Sequence, residues 1–319
     1  MPDVACLGLL IADLFGSPLD AVPSQGDLSL IDKYLLTVGG CAANTAVDLV
    51  RLGRTSSVLG KIGEDQFGDF VLKELRRRGV DPTFVNRSST HPTSFTYIMN
   101  VRGQDRRYIH CSGANAHFSL ADIDLKALDG VRALYIGGYF GLPSFDTVQL
   151  ARLFRDARQR GLMTLLDVVI PAGTKPSIEG LREVLSLTDA FLPNNDEARV
   201  LTGRDDPREQ SEFFAAMNPS CTVVITMGRS GALARRGSEV LRAGAFKVDS
   251  IDESGGGDAF DAGFIVGQLE GWTLEESLRF ASAAGASCTR AMGCHDGVFT
   301  FDEARDFISL NPLEISRIA

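Results

Sequence analysis

Asp252-Glu253-Ser254-Gly255-Gly256-Gly257-Asp258-Ala259-Phe260 closes a β-rich segment and opens a long apolar helix that runs to Leu269. Three consecutive glycines remove every Cβ from the turn, so the backbone can take positive φ and a bound group can approach the main chain closely. Their N–H groups then stand at a helix N-terminus, where unpaired donors and the positive end of the dipole favour an anion. Asp258 adds a proton acceptor beside that anion. Taken alone, the stretch is equally consistent with a tight turn whose aspartate caps the helix. The rest of the chain has to decide.

At 319 residues the chain can bury a sizeable core, and we expect one α/β domain over 1–319. Hydrophobic content of 44% and charged content of 23% are those of an ordinary globular protein. A net charge of −9 offers no basic footprint, which argues against nucleic acid and against an anionic membrane surface. No apolar run approaches the roughly 20 residues of a transmembrane helix, and Met1-Pro2-Asp3-Val4 lacks the basic start of a signal peptide. The predicted location is cytoplasmic. Cys6, Cys41, Cys111, Cys221, Cys288 and Cys294 form no C-x-x-C pair and read as small buried residues of a reduced protein. His91, His110, His117 and His295 are scattered, and none is assigned a ligand role.

Outward from the glycine turn, strands and helices alternate. Val4–Leu10 is a continuous apolar run, as in a strand buried on both faces. Helical spacing follows over Ala43–Leu52 and Gln66–Arg78, each stopped by a glycine, with Ser57–Leu59 as a short strand between them. Arg76-Arg77-Arg78 reads as a solvated helix end. The rhythm then breaks. Thr93–Val101 and Arg106–Cys111 form a predicted hairpin around Gly103, and Leu28–Val38 is also strand-like, so a small separate sheet is expected from about 14–38 and 93–112.

Alternation resumes with helices at Leu120–Leu128, Phe145–Arg160, Ile178–Leu185, Asp196–Leu201 and Glu209–Met217. Strands are expected at Ala133–Ile136, Met163–Asp167, Ala190–Leu192 and Cys221–Met227, with a hairpin at Gly231–Arg235 and Val240–Arg242. Thr273-x-x-Glu276 is a capping box. This pattern implies a mostly parallel sheet covered on both faces, with ligands bound beyond the carboxyl ends of its strands. Asp167, the Asn194 segment and Asp258 all fall at such ends.

Some chemistries are excluded. There is no G-x-x-x-x-G-K-[ST] phosphate loop, no G-x-G-x-x-G after the first strand and no G-x-S-x-G elbow. What is present is Gly39-Gly40-Cys41-Ala42-Ala43-Asn44, a glycine pair entering a helix. The Asn44 amide can donate and accept at once, which suits a sugar hydroxyl. Asp13, just past the first strand, adds a carboxylate able to accept from two adjacent hydroxyls.

In combination these motifs resemble the ribokinase-like (PfkB) family of carbohydrate kinases. Gly39-Gly40 with Asn44 resembles the amino-terminal signature. Asp252 to Asp258 resembles the carboxy-terminal signature Asp-Thr-x-Gly-Ala-Gly-Asp, with Glu253 for Thr and Gly256 for Ala. Between them, Gly60-Lys61-Ile62-Gly63-Glu64-Asp65-x-Phe67-Gly68, Gly113-Ala114-Asn115, Asn194-Asn195-Asp196-Glu197 and Thr226-Met227-Gly228-Arg229-Ser230-Gly231 follow in the family's order.

The resemblance implies a three-layer α/β/α fold with a mostly parallel central sheet of nine or so strands and a small β-sheet lid. It implies ATP, Mg2+ and transfer of the γ-phosphoryl group to a hydroxyl of a small-molecule sugar, and a homodimer formed through the lid. Asp258 would be the catalytic base and the N–H groups of Gly255, Gly256 and Gly257 the anion hole. Asp13, Gly39, Gly40 and Asn44 would hold the sugar. Asn194 and Glu197 would organise Mg2+ and its water, and Thr226, Gly228 and Gly231 would lie along the nucleotide. Asp252, Ala291 and Gly293 would surround a monovalent cation such as K+.

A carboxylate at a helix N-terminus is expected to be ionised and only weakly basic, which is adequate for a late proton transfer. The chain departs from the family where it reads Asp167-Val168-Val169-Ile170-Pro171 instead of Asp-x-Asn-x-Arg, and Gly137-Gly138 where several sugar kinases carry an acid. Arg106 and Arg107 on the lid hairpin could meet a substrate anion or could be solvated strand charges. A nucleoside kinase and a catalytically silent sugar-binding regulator remain the alternatives to a sugar kinase.

Overall fold

A computed structural model describes residues 1–104 and 107–318. Its strands are β1 (Val4–Gly8), β2 (Ile11–Gly16), β3 (Tyr34–Gly39), β4 (Ser56–Gly63), β5 (Asp81–Ser88), β6 (Ser94–Met99), β7 (Arg107–Cys111), β8 (Ala133–Gly137), β9 (Met163–Leu166), β10 (Ala190–Phe191), β11 (Thr222–Thr226), β12 (Ala232–Arg236), β13 (Glu239–Ala243) and β14 (Ile315–Arg317). The α-helices are α1 (Cys41–Arg51), α2 (Gln66–Arg77), α3 (Thr147–Gln159), α4 (Ile178–Ser186), α5 (Asn195–Thr202), α6 (Pro207–Ala215), α7 (Gly256–Leu269), α8 (Leu274–Cys288) and α9 (Phe301–Leu310).

Ten strands form one sheet in the order β14-β13-β12-β11-β10-β9-β8-β1-β4-β5. From β5 to β11 every neighbouring pair is parallel, while β12, β13 and β14 add antiparallel at one edge. The fold is the ribokinase-like three-layer arrangement expected, with ten strands in the large sheet.

Strand alternation sorts the side chains between two cores. Val4, Cys6, Tyr135, Leu165 and Val224 face α1, α2, α7 and α8, whereas Ala5, Leu7, Ile136, Leu166 and Ile225 face α3, α4, α5 and α6. Full burial of each large side chain contributes about 1.5–3 kcal/mol, so the pattern holds the helices on both faces. The carboxyl ends of β8, β9, β10 and β11 are thereby presented along one edge, where parallel sheets bind ligands.

A second sheet of order β3-β2-β6-β7 pairs β2 antiparallel to β3 and parallel to β6, with β7 antiparallel to β6. The apolar run Val4–Leu10 is therefore not one strand that stops. It ends at Gly8, and the chain crosses to the small sheet at Ile11. Leu10 at the crossing is satisfied by Asn115, whose Oδ1 accepts from Leu10 N (3.3 Å) and whose Nδ2 donates to Leu10 O (3.1 Å). The Gly113-Ala114-Asn115 motif thus has a structural use. So does the Gly63–Gly68 motif: Asp65 caps α2 through Gly68 N (2.8 Å) and also accepts from Thr93 N and Oγ1 (2.7 Å each), tying the large sheet to the start of β6.

Several local expectations change. Leu120–Leu128 is not an α-helix but two 3-10 turns, Leu120–Asp122 and Leu125–Leu128, because Asp124 caps afresh by accepting from Lys126 N (2.9 Å). In the 28–38 segment the strand begins only at Tyr34, where β3 starts; Leu28 and Leu30 are exposed. Helix α3 begins at Thr147 rather than Phe145, since the Asp146 side chain accepts from Gln149 N. Strand β5, helix α9 and edge strand β14 were not anticipated. Cys111 is exposed and Cys41 partly exposed, against the expectation that the cysteines are buried. Arg106 lies outside the described residues; Arg107 is exposed on β7 and hydrogen-bonds Gln104 (2.6 Å). No helix among the described residues is long and apolar enough to cross a membrane.

Candidate active site

The glycine turn is a pivot held from both sides. Gly255 has φ +74°, and a Cβ there would sit 2.6 Å from Cys294 Cβ and 2.8 Å from Cys294 Cα. Only glycine fits both the conformation and the space. Helix α7 starts at Gly256, three residues earlier than the spacing implied, so Gly256, Gly257 and Asp258 form its first turn, where N–H groups lack intrahelical acceptors. Asp252 fastens the turn to the 291–295 loop: Oδ1 accepts from Ser254 N (3.0 Å) and Oδ2 from Gly293 N (3.0 Å). Asp252 and Gly293, expected around a monovalent cation, are in direct contact, and Ala291 lies two residues earlier on the same loop.

The two glycine signatures meet at this turn. Asn44 Nδ2 donates to Asp258 Oδ2 at 2.7 Å, across 214 positions of sequence. Asn44 is presented there because α1 begins immediately after Gly40 (φ +93°). Gly39 lets Asp13 pack against the chain; a Cβ at that position would overlap Asp13 Oδ2. Asp13 lies past the first strand, inside β2, opposite Thr37 and Thr96. It is 8% exposed and Asn44 5%, and among the described residues Oδ1 of each has no hydrogen-bond partner. A buried polar atom left this way costs about 1–3 kcal/mol, which two hydroxyl donors of a bound molecule would relieve.

Asp258 stands in a crowd of acids. Sγ of Cys41 and carboxylate oxygens of Asp167 and Asp258 all lie within 4.8 Å of one another. Asp167 Oδ2 accepts from Gly138 N (2.8 Å), and Tyr135 Oη donates to Asp261 Oδ2 (2.8 Å) one turn beyond Asp258. Asp258 as a residue is partly buried, and its carboxylate is packed among these groups. Burial first, and Asp48 second, push it up to about 7 against the hydrogen bonds from Asn44 and Cys41. The expectation of an ordinary, weakly basic carboxylate is thus corrected, because desolvation and neighbouring charge outweigh the helix N-terminus. Burial likewise pushes Asp13 up to about 6 and, with Asp258 nearby, Glu197 up to about 7.

These shifts fix a sign. A carboxyl whose pKa is raised on folding binds more protons folded than unfolded between its ordinary value and the raised one, so stability falls as pH rises through that interval. Thermal melts of the ligand-free protein should show Tm decreasing from pH 5 to pH 7.5; a Tm that rises over that span would contradict the acidic cluster.

Asn194 and Glu197 cap α5 reciprocally: Asn194 Oδ1 accepts from Glu197 N and Glu197 Oε2 from Asn194 N, both at 2.9 Å. Both carboxylate position and charge crowding suit a hard divalent cation at Glu197. Thr226, Gly228 and Gly231 line one cavity of about 420 Å3 together with Gly256 and Gly257. Phe246, Val248, Ala286 and Thr289 supply its apolar part. Thr226 and Gly228 are shared with an adjoining cavity of about 380 Å3 that carries Asn194.

Sequence reasoning passed over the support behind Asp258. His295 is buried; its Nε2 lies 3.0 Å from Val38 O and its Nδ1 3.4 Å from Asp48 Oδ1, within a helix that otherwise reads as core. The one available signal was Asp48 on the apolar face of α1. Cys41 and Asp261 were quoted inside motifs without a role.

The model of the pfkB family carbohydrate kinases matches residues 1–300. Ribokinase of Haemophilus influenzae is 29% identical over 280 residues, covering 86% of this chain and 89% of the relative. A 5-dehydro-2-deoxygluconokinase of Clostridium perfringens is 25% identical over 317 residues, covering 96% and 92%. The fold is that of Arabidopsis thaliana ribokinase complexed with ribose and ATP, with a TM-score of 0.81 at 22% identity and coverage of 96% of this chain and 98% of that one.

Proposed function

The chain belongs to the pfkB family of carbohydrate kinases, a phosphotransferase family, and from that premise we propose that it moves the γ-phosphoryl group of ATP to a primary hydroxyl of a monosaccharide or sugar acid. The observation that carries this reading is the 2.7 Å hydrogen bond from Asn44 to Asp258, which joins the sugar-side signature to the carboxylate at the glycine turn.

Asn44 orients Asp258 toward the hydroxyl that reacts, and Asp258, with its pKa raised to about 7, accepts the proton. A base so poised holds a proton more firmly than an ordinary carboxylate, which suits transfer late in the displacement. The N–H groups at Gly255, Gly256 and Gly257 stabilise charge on the transferring group, as preorganised donors do elsewhere. Asp13 and Asn44 accept hydroxyl protons of the sugar through the oxygens they leave unpaired, while Gly39 and Gly40 allow the sugar to approach the backbone. Thr226, Gly228 and Gly231 lie along the nucleotide. Asn194 and Glu197 would hold Mg2+, which supplies neutralisation of phosphate charge. Asp252, Ala291 and Gly293 would hold K+, a site that replacement of K+ by choline in the assay examines.

A coupled ADP-release screen over neutral sugars, sugar acids, phosphosugars and nucleosides tests the reading. Turnover with a monosaccharide or sugar acid is expected. Turnover confined to nucleosides, or sugar-induced thermal stabilisation with no turnover of any polyol, would overturn it.

A further inference from the structure

The nucleotide-side cavity carries an ion pair at its rim. Arg229, in the 3-10 turn Gly228–Ser230, reaches Oε1 of Glu253 through both Nε (2.9 Å) and Nη2 (2.7 Å). Both residues line the cavity that also holds Gly256 and Gly257. Glu253 stands where the resembled signature has threonine, two residues before the Gly255 pivot.

A carboxylate in that place is costly for a phosphate site, since like charges at short range repel. Arg229 removes the cost. The pair itself does little for the fold: its side chains are 81% and 52% exposed, and exposed ion pairs are worth about 0–1 kcal/mol. Its geometry nevertheless has a consequence. Glu253 uses only the Nε–Nη2 edge of the guanidinium, so Nη1 can meet a phosphate oxygen while that edge stays on the carboxylate. A guanidinium fixed this way loses less freedom on binding than a free one.

On the kinase reading above, we propose that Arg229 binds the phosphate tail of the nucleoside triphosphate, with Glu253 as the positioning residue that holds it at the rim of the cavity. The glycine-turn donors and Arg229 then approach the tail from neighbouring walls, and the glutamate in the signature is tolerated because the arginine faces it.

Titration calorimetry with ATP, ADP and AMP, alongside steady-state kinetics, tests this. Arg229→Ala should weaken ATP binding and raise KM for ATP about tenfold, the scale of one charge-assisted hydrogen bond. AMP binding, kcat and KM for the sugar should change about twofold or less on the same scale. In a Glu253→Thr background the same arginine change should cost only about threefold, because the uncompensated carboxylate is gone. Arg229→Lys, which keeps charge but loses the fork, should fall between. Equal losses for AMP and ATP, a fall in kcat at unchanged KM, or no coupling between the two positions would overturn the proposal. A wild-type protein that binds ATP while Arg229→Ala binds it equally well overturns this proposal alone; a wild-type protein that binds no nucleotide overturns the kinase reading with it.

Discussion

Asp258→Asn is expected to lower kcat about 10³-fold or more, within the range seen when a positioned proton acceptor is lost, while leaving nucleotide binding intact. The substitution keeps the shape of the side chain and an oxygen for the Asn44 amide, so the sugar-side contact can persist. It removes a charge that burial and Asp48 already oppose. Two measurements therefore move in opposite directions. Activity in the ADP-release assay should nearly vanish, and Tm above pH 7 should rise relative to wild type, because the ionised carboxylate that was a liability there is gone. Retention of more than a few per cent of wild-type kcat would remove Asp258 from the chemistry. A lower Tm at pH 8 would mean that the acids around it do not repel as the structure implies.

Gly255→Ala should combine the largest loss of stability with loss of function. Its φ of +74° places an L-residue in the left-handed region, at a cost of about 1–2 kcal/mol, and the new Cβ would meet both Cα and Cβ of Cys294. Cys294 cannot withdraw easily, since Gly293 beside it is tied to Asp252 and His295 to Val38 and Asp48. Overpacking of this kind adds about 1–3 kcal/mol. If the protein still folds, the turn must shift, and displacing one preorganised donor lowers kcat by about 10²–10³. Gly257→Ala is the control. A Cβ there meets nothing within 4 Å, so melts should show stability unchanged or slightly higher, as for an alanine replacing a helical glycine. The same Cβ would stand at the wall of the cavity that Thr226, Gly228 and Gly231 also line, so on the proposed kinase reading KM for ATP should rise. Equal melting temperatures for the two variants would undo the distinction between a pivot glycine and one with open space at its Cβ.

Particular residues show where sequence reading succeeded and where it stopped. The central strands were legible because burial on both faces leaves continuous apolar runs, and helices such as α1, α2 and α3 because Gly53, Gly79 and Gly161 stop them. The run Val4–Leu10 misled because both sides of the crossing at Leu10 are apolar; what divides it is Asn115, over a hundred residues away. Leu120–Leu128 misled because apolar spacing cannot register a second cap at Asp124. Glu197 was quoted for a metal, yet its first use is local, as half of a capping box that also holds the carboxylate in place.

The order of the glycine signatures, the alternation of strands and helices, and the absence of other phosphate-binding motifs are properties of the sequence itself. They determine the family and the kind of chemistry, because a backbone approached by a ligand demands glycine wherever the chain happens to fold. The tertiary structure alone decided how Asp258 behaves. Its raised basicity follows from burial and from Asp48, against the hydrogen bonds from Asn44 and Cys41, and all three residues are contributed by a helix some 200 residues away. The same holds for the Arg229–Glu253 pair, whose members are 24 positions apart and meet at the rim of a cavity. Electrostatic energy depends on distance and desolvation in space, and neither quantity is written in the order of residues.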